Sequence, residues 1–151
     1  MAEHKMSVHW QRDAEDFSYE AYTRDHNWAF KGGIQVHASA APLFRGSPDR
    51  VDPEDAFVAA LSSCHMLSFL AIASRKGFRL DTYDDDAVGY LEKNGEGKLV
   101  MTRVYLRPRI KFSGSKIPNT EQIDKMHHES HEQCFIANSV KTEVFCEPRQ
   151  E

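Results

Sequence analysis

Cys64 and Cys134 are the residues of this 151-residue chain whose type and position best fit redox chemistry. Both fall on faces of predicted helices that are expected to point inward. A thiol becomes a nucleophile by losing its proton, and burial opposes that loss unless a cation compensates. Cys64 lies too far along its helix to use the helix dipole, so it needs an arginine, lysine or histidine beside it to be reactive. The alternative interpretation of Cys64 is a small buried apolar residue.

Histidines near these cysteines in the sequence offer a second chemistry. His127 and His131 are four residues apart and share one helix face, as metal ligands on helices often do. Soft and imidazole ligands could also come from Cys64, His65, His128 and Cys134. No pair of closely spaced cysteines supports such a site. We therefore expect neither a metal nor an organic cofactor, and metal binding by cysteine and histidine stays the alternative hypothesis.

The element that must position Cys64 is a helix predicted over residues 53–76. Asp52 can cap its free amides, Pro53 suits its first position, and Gly77 suits the left-handed position that closes it. The spacing of apolar residues predicts an inward face made of Phe57, Ala60, Leu61, Cys64, Leu67, Leu70 and Ala71. Residues 66–73 are apolar on nearly every side, which indicates either complete burial or a membrane span. Interspersed serines and the cations that follow exclude a span, so we predict a buried central helix.

Strand patterns surround this helix. We predict one strand that starts at Phe78 and further strands at residues 7–12, 17–22, 28–30, 34–38, 87–93, 98–112 and 140–146. A second helix is predicted over residues 120–134, with Thr120 as its cap and Cys134 at its end. Pro108 interrupts one strand. This order predicts an α+β fold with mostly antiparallel sheets in a single domain, residues 1–151. One small sheet cannot cover the long helix, so we expect a homodimer.

Composition limits the function classes. A hydrophobic fraction of 40% and a charged fraction of 28% are typical of a globular protein. The net charge of −4 gives no reason to expect nucleic acid or a membrane as partner. The start of the chain is polar and lacks a secretory signal, so we expect a cytoplasmic protein. Three widely spaced cysteines do not form a structural disulfide framework, and any disulfide is expected to be transient.

Three elements resemble the OsmC/Ohr family, the osmotically inducible and organic hydroperoxide resistance proteins. A Pro-Glu pair, Pro53-Glu54, opens the long helix, and Cys64 follows ten residues after the glutamate. A later cysteine, Cys134, precedes a small polar stretch and the final strand. Arg24-Asp25 matches the Arg-Asp pair that the family carries about forty residues before its first cysteine. Together these elements cover the chain from about Tyr22 onward.

The resemblance implies a thiol peroxidase in an intertwined dimer, with antiparallel sheets wrapped around the central helix. Cys64 would be oxidised by an organic hydroperoxide, and Cys134 would resolve it as a disulfide for reduction by an external dithiol of the lipoyl type or a small thiol. Arg24 would stabilise the thiolate and polarise the peroxide, and Glu54 would hold the guanidinium. Arg45 and Arg50 also precede the helix and are the alternatives to Arg24.

Two departures from the family pattern indicate which branch of the OsmC/Ohr family the chain resembles. The Ohr branch has proline after its second cysteine, where this chain has Phe135, and the residue after the first cysteine is often phenylalanine, where this chain has His65. These differences point to an OsmC-like branch. Cys146 is expected to be a core residue. A third hypothesis is a non-catalytic dimeric binding module that keeps the fold.

Overall fold

Two α-helices and eight β-strands follow one another along residues 1–149, the part of the chain that this computed structural model describes. In chain order they are β1 (Ser7–His9), β2 (His26–Ala29), β3 (Gln35–Ala38), α1 (Pro53–Arg75), β4 (Arg79–Asp85), β5 (Val88–Lys93), β6 (Leu99–Leu106), β7 (Pro108–Ser113), α2 (Thr120–Gln133) and β8 (Glu143–Cys146). Three sheets form, with strand orders β1-β2-β3, β4-β7 and β5-β6-β8. All strand pairs are antiparallel except β6 with β8. The predicted α+β class with mostly antiparallel sheets is confirmed.

The chain divides into two compact units, Met1–Ala56 and the segment from Phe57 onward. The first unit holds β1 to β3 and the first turn of α1. The second unit holds the rest of α1, the two other sheets and α2. The expectation of a single domain stays a prediction.

In the first unit, the predicted strand at residues 17–22 is wrong. The segment forms turns, because Asp16 Oδ1 accepts a hydrogen bond from the Ser18 amide at 2.9 Å and the Ser18 carbonyl accepts one from the Ala21 amide at 3.0 Å. Its aromatic side chains cluster instead, with the rings of Phe17 and Tyr22 5.1 Å apart. The predicted hairpin of β2 and β3 is confirmed, and its turn spans Lys31–Gly33.

The predicted ends of α1 are confirmed to within one residue. Asp52 Oδ1 accepts a hydrogen bond from the Asp55 amide at 2.8 Å, which satisfies one of the free donors at the helix start. At the other end Gly77 adopts a φ of 77°, and the Phe78 amide donates to the Ala73 carbonyl at 3.0 Å. This geometry closes the helix in the way that a glycine at this position favours.

The predicted inward face of α1 is correct for Leu61 and wrong for Ala60 and Leu67. The buried residues are Leu61, His65, Phe69, Ile72 and Ala73. Of the residues predicted to be buried, Ala60 is exposed and the side chain of Leu67 is 59% exposed. The helix is apolar nearly all round, so the spacing of its apolar residues does not select one face. By length and composition alone α1 could cross a membrane, but its buried residues form part of the protein core.

The second unit carries two hydrophobic clusters. One is formed by Phe69, Ile72, Ala73, Phe78 and Met126, and the other by Leu61, Val104 and Leu106. The single strand predicted over residues 98–112 is two strands in the structure. β6 ends at Leu106, and β7 begins at Pro108 and pairs with β4 in a different sheet. Proline has no amide hydrogen to continue the first ladder, which explains the break.

The second helix is confirmed, with a different cap. The side chain of Asn119 accepts a hydrogen bond from the Gln122 amide at 2.8 Å, and the Gln122 side chain accepts one from the Asn119 amide at 2.9 Å. This reciprocal capping box makes Asn119 the cap, so α2 begins at Thr120, the residue that was predicted to cap it. Met126, His127 and Ser130 face inward, and Cys134 follows directly after the last turn.

Candidate active site

The structure brings Cys64 of α1 and Cys134, at the end of α2, side by side. The two thiols are near enough that Cys64 contributes to the raised pKa of Cys134. Both cysteines are free thiols, Cys134 buried and Cys64 partly buried. The Ala137 amide donates to Cys134 Sγ at 3.4 Å, which fixes the position of the deeper sulfur. Two adjacent thiols of unequal exposure form an arrangement that can close a disulfide.

The electrostatics of the pair favour a protonated Cys134. Burial raises the pKa of the Cys134 thiol to about 11, and the neighbouring Cys64 contributes to the increase through its hydrogen bond and its charge. Backbone amides of Ile136 and Ala137 act in the opposite direction. Cys134 therefore carries its proton at neutral pH, which is suitable for a thiol that reacts second.

A surface pocket of about 490 Å³ gives access to Cys64. Its volume lies within the range of about 300–1,000 Å³ typical of small-molecule sites. The lining residues are Cys64, Leu67, Ser68, Ala71 and Arg75 from α1 and Glu132, Gln133, Phe135 and Asn138 from the end of α2 and the loop after it. Leu67 and Phe135 are 59% and 81% exposed, so the pocket offers apolar surface to a ligand.

Arg75 and Phe135 are among the lining residues that the sequence did not assign to a site. Arg75 brings a positive charge to the pocket, and its position was predictable, because residues 64, 68, 71 and 75 repeat at the spacing of one helix face. Phe135 was noted only as a departure from the family pattern. Its exposure depends on the turn after α2, for which the sequence gives no clear signal.

The predicted catalytic arginine, Arg24, lies in the first unit. Its guanidinium stacks on the ring of Tyr22 at 3.7 Å and lies 4.9 Å from the ring of Tyr19. It donates hydrogen bonds to the carbonyls of the same two residues. Arg24 also lines an aromatic pocket of about 640 Å³ with Trp10, Phe17 and other residues of this unit.

The predicted ion pair of Arg24 with Glu54 does not form within residues 1–149 of the single chain. Glu54 occupies the first turn of α1 and is partly buried. Because Arg24 and Glu54 belong to the first unit and both cysteines to the second, the approach of the arginine to the thiols stays a prediction.

The arginine that pairs with Asp25 is Arg50, and not Arg24, which precedes Asp25 in the sequence. Arg50 Nε lies 3.3 Å from Asp25 Oδ2, and Ser47 Oγ donates to Asp25 Oδ1 at 2.7 Å. The hydrogen bond from Ser47 is the main reason that the pKa of Asp25 is lowered. Arg50 is therefore engaged in the structure of the first unit, whereas Arg45 is exposed.

A second group of reactive side chains lies in the core. His65 Nε2 is 3.0 Å from His127 Nδ1, and Cys146 Sγ is 3.7 Å from His65 Nε2. Burial lowers the pKa of His65 to about 4 and that of His127 to about 3, so both rings are neutral at neutral pH. The sequence grouped these histidines with Cys64 and Cys134, but the cysteine that the fold places beside them is Cys146. His128 of the same helix is exposed.

Comparison with known proteins identifies relatives of the whole chain. Residues 46–149 match the sequence profile of the OsmC-like protein family. The structure of an OsmC-like protein of unknown function from Vibrio cholerae is 51% identical, and the match covers 99% of this chain and 100% of that one with a TM-score of 0.94. No curated protein matches the chain by sequence.

Two more distant structures share the fold. An organic hydroperoxide resistance protein OsmC from Legionella pneumophila is 14% identical, with 100% and 98% of the two chains covered and a TM-score of 0.72. The organic hydroperoxide resistance protein OhrB of Bacillus subtilis is also 14% identical, with 99% and 98% covered and a TM-score of 0.69. The family profile spans more than two thirds of this sequence, and the resemblance noted in the sequence is confirmed: the chain belongs to the OsmC-like protein family.

Proposed function

We propose that this protein is a cysteine-based thiol peroxidase that reduces organic hydroperoxides in the cytoplasm as part of oxidative stress defence. The observation that carries the proposal is the proximity of two free thiols of unequal exposure, Cys64 in the pocket and Cys134 buried behind it. Membership of the OsmC-like family and the fold shared with organic hydroperoxide resistance proteins of Legionella and Bacillus support a role in peroxide or redox chemistry.

The first step oxidises Cys64. Its thiolate attacks the distal oxygen of the hydroperoxide, so that an S–O bond forms and the O–O bond breaks. The alkoxide leaves and takes up a proton, which yields one alcohol and a sulfenic acid. Cys64 is the better candidate for this step because it lines the pocket, whereas Cys134 is buried.

The second step forms the disulfide, and the third restores the thiols. The Cys134 thiol attacks the sulfenic sulfur, and water leaves with the proton of that thiol. An external dithiol then reduces the disulfide by thiol–disulfide exchange and is itself oxidised.

The substrate class follows from the pocket. Exposed apolar surface on Leu67 and Phe135 favours an organic group over the small polar hydrogen peroxide. Arg24 is proposed as the cation that supports the thiolate and polarises the peroxide, with Glu54 to position it. For this role the guanidinium of Arg24, in the first unit, must approach a pair of Cys64 and Cys134 thiols. We propose that a homodimer brings them together.

Peroxide consumption tests the proposal. The reduced full-length protein is mixed with dihydrolipoamide and with cumene, tert-butyl or hydrogen peroxide in turn. We expect faster turnover with the two organic peroxides, and loss of turnover in Cys64→Ser. The control Ser74→Ala changes an exposed serine near the end of the same helix and should keep wild-type turnover.

The outcome also distinguishes the alternative functions. Equal inactivity of wild-type protein and Cys64→Ser toward all three peroxides would support a non-catalytic binding module. A rate that Cys64→Ser leaves intact would reject the assignment of the reacting thiol.

A further inference from the structure

Three potential metal ligands meet in the core on α1, α2 and β8. His65, His127 and Cys146 each place one ligand atom within 4.8 Å of the other two. The two imidazole nitrogens are 3.0 Å apart, and the sulfur is 3.7 Å from His65 Nε2. Around a tetrahedral zinc ion, bonds of about 2.0–2.1 Å to nitrogen and about 2.3 Å to sulfur separate two nitrogens by roughly 3.4 Å and a sulfur from a nitrogen by roughly 3.6 Å. The sulfur is already at this distance from His65 Nε2, and the two nitrogens would separate by a few tenths of an ångström to admit an ion. The ligand atoms of His127 and Cys146 lie within 4.8 Å and would close to about 3.6 Å.

The charges around the cluster suit a cation. Both imidazoles are neutral, so each has a lone pair to donate. Burial raises the pKa of the Cys146 thiol to about 12, and the carboxylates of Asp85, Asp124 and Glu147 contribute to the increase. The same carboxylates make the electrostatic potential at the sulfur negative, which favours a bound dication.

Two buried polar atoms beside the cluster have no hydrogen-bond partner within residues 1–149. They are His127 Nε2 and Tyr83 Oη. His127 is only 4% exposed, and Tyr83 lies close enough to Cys146 for the thiolate charge to raise its pKa further, beyond the effect of burial. Most buried polar groups are hydrogen-bonded, and an exception such as Tyr83 Oη often marks the position of a water or an ion. The Nε2 atom of His127 would not bind the same ion, because the ligand atom of this ring in the cluster is Nδ1.

We propose that His65, His127 and Cys146 bind one Zn²⁺ ion, with a water or the hydroxyl of Tyr83 in the fourth position. Two imidazoles and one thiolate form a ligand set of the softness that zinc prefers. On binding, the S–H bond of Cys146 breaks, a Zn–S bond forms, and one proton is released to solvent. The hydrogen shared by the two rings moves to an outer ring nitrogen, so no electron transfer is required. The site does not use Cys64 or Cys134 and is independent of the proposed peroxidase.

Cobalt titration of the full-length, reduced and chelator-treated protein tests the site. We expect one equivalent of Co²⁺ to produce a thiolate-to-cobalt charge-transfer band and one equivalent of Zn²⁺ to abolish it with release of one proton. Cys146→Ser should lose the band, and His127→Gln should lose stoichiometric binding. X-ray absorption of the zinc-loaded wild-type protein should show one sulfur and two imidazole ligands, a measurement that does not depend on the folding of any variant.

Matched variants separate this site from the other thiols and histidines. The double variant Cys64→Ser/Cys134→Ser and the variant His128→Gln should keep the band and its stoichiometry. The proposal is overturned if wild-type protein binds neither ion, if Cys146→Ser keeps the band, if the double variant loses it, or if X-ray absorption shows two sulfur ligands.

Discussion

The Nε2 atom of His65 lies 3.0 Å from the Nδ1 atom of His127, and the two rings are nearly parallel, with an angle of 13° between their planes. The hydrogen bond joins α1 to α2 in the middle of the core. On its other side the ring of His127 stacks on Phe69, with centroids 4.4 Å apart. A polar contact at this depth stabilises the pairing of the two helices only while both partners are present.

Loss of one partner should therefore destabilise the metal-free protein. His127→Leu leaves the buried His65 Nε2 with only the weak contact to Cys146 Sγ, and a buried group that loses its hydrogen bond costs about 1–3 kcal/mol. The free energy of unfolding, measured by urea denaturation in the presence of a chelator, should fall by that amount. The control His128→Leu changes an exposed residue of the same helix and should alter it by less than about 0.5 kcal/mol. Equal effects of the two substitutions would show that the buried hydrogen bond contributes nothing.

The parts of the fold that depend on local chemistry were predictable from the sequence. Asp52, Pro53 and Gly77 determine the ends of α1 through contacts with residues at most a few positions away. The inward face of the same helix was not predictable, because leucines and alanines surround it and only the contacts of the folded chain select Phe69 and not Leu67. The segment 17–22 alternates like a strand, but local hydrogen bonds of Asp16 and Ser18 produce turns.

The candidate sites likewise combine features that the sequence predicts with features that depend on how the chain folds. Cys64 and Cys134 were identified as a pair through family resemblance, and their contact depends on how α1 and α2 pack. The sequence grouped His65 and His127 as possible metal ligands with Cys64 and Cys134, but nothing in it indicated Cys146, which lies on a distant element. Their grouping with Cys146 becomes visible only once the topology is known.

Oxidation should link two particular cysteines. One equivalent of an organic hydroperoxide should produce a disulfide between Cys64 and Cys134 within each chain, because a sulfenic acid condenses readily with an adjacent thiol. Cys146 should stay a free thiol, since its sulfur lies 3.7 Å from His65 Nε2, in the core cluster with His65 and His127. Peptide mapping by mass spectrometry under non-reducing conditions measures both. Cys146 in the major disulfide would contradict the assignment.

The reactivity of Cys134 should depend on pH and on its neighbour. Because its pKa is raised to about 11 by burial and by Cys64, the thiolate fraction and the rate of alkylation by iodoacetamide should rise about tenfold per pH unit up to that range. In Cys64→Ala the contributions of the neighbouring thiol are absent, so the midpoint should move to lower pH, although burial keeps it above the ordinary value. Rates are obtained from the Cys134 peptide alone. A midpoint that Cys64→Ala leaves unchanged would show that burial accounts for the whole increase.

Exposed apolar surface on α1 predicts an obligate homodimer. Ala60, Ser63 and Leu67 form an exposed stripe on a helix that is apolar nearly all round, and an obligate interface of this kind buries over about 2,000 Å². Sedimentation at micromolar concentration should show a dimer. Leu67→Lys should dissociate it or reduce folded protein, whereas Leu99→Lys, the same change at a residue 53% exposed on β6, should not. A stable folded wild-type monomer would contradict this prediction.

Substitutions at Arg24 distinguish the charge of the proposed catalytic cation from its shape. Lysine keeps the charge but lacks the planar guanidinium, which can contact a carboxylate and a peroxide oxygen at once. Arg24→Lys should therefore reduce peroxidase turnover severely while the circular dichroism spectrum stays that of the wild type, and Glu54→Gln should give a smaller loss. The control Arg45→Lys makes the same change at an exposed arginine that precedes α1 and should keep its turnover. If Arg45→Lys lost turnover and Arg24→Lys kept it, Arg45 would be the cation that supports the reacting thiolate, and the family's Arg-Asp pair would have no catalytic counterpart at Arg24-Asp25.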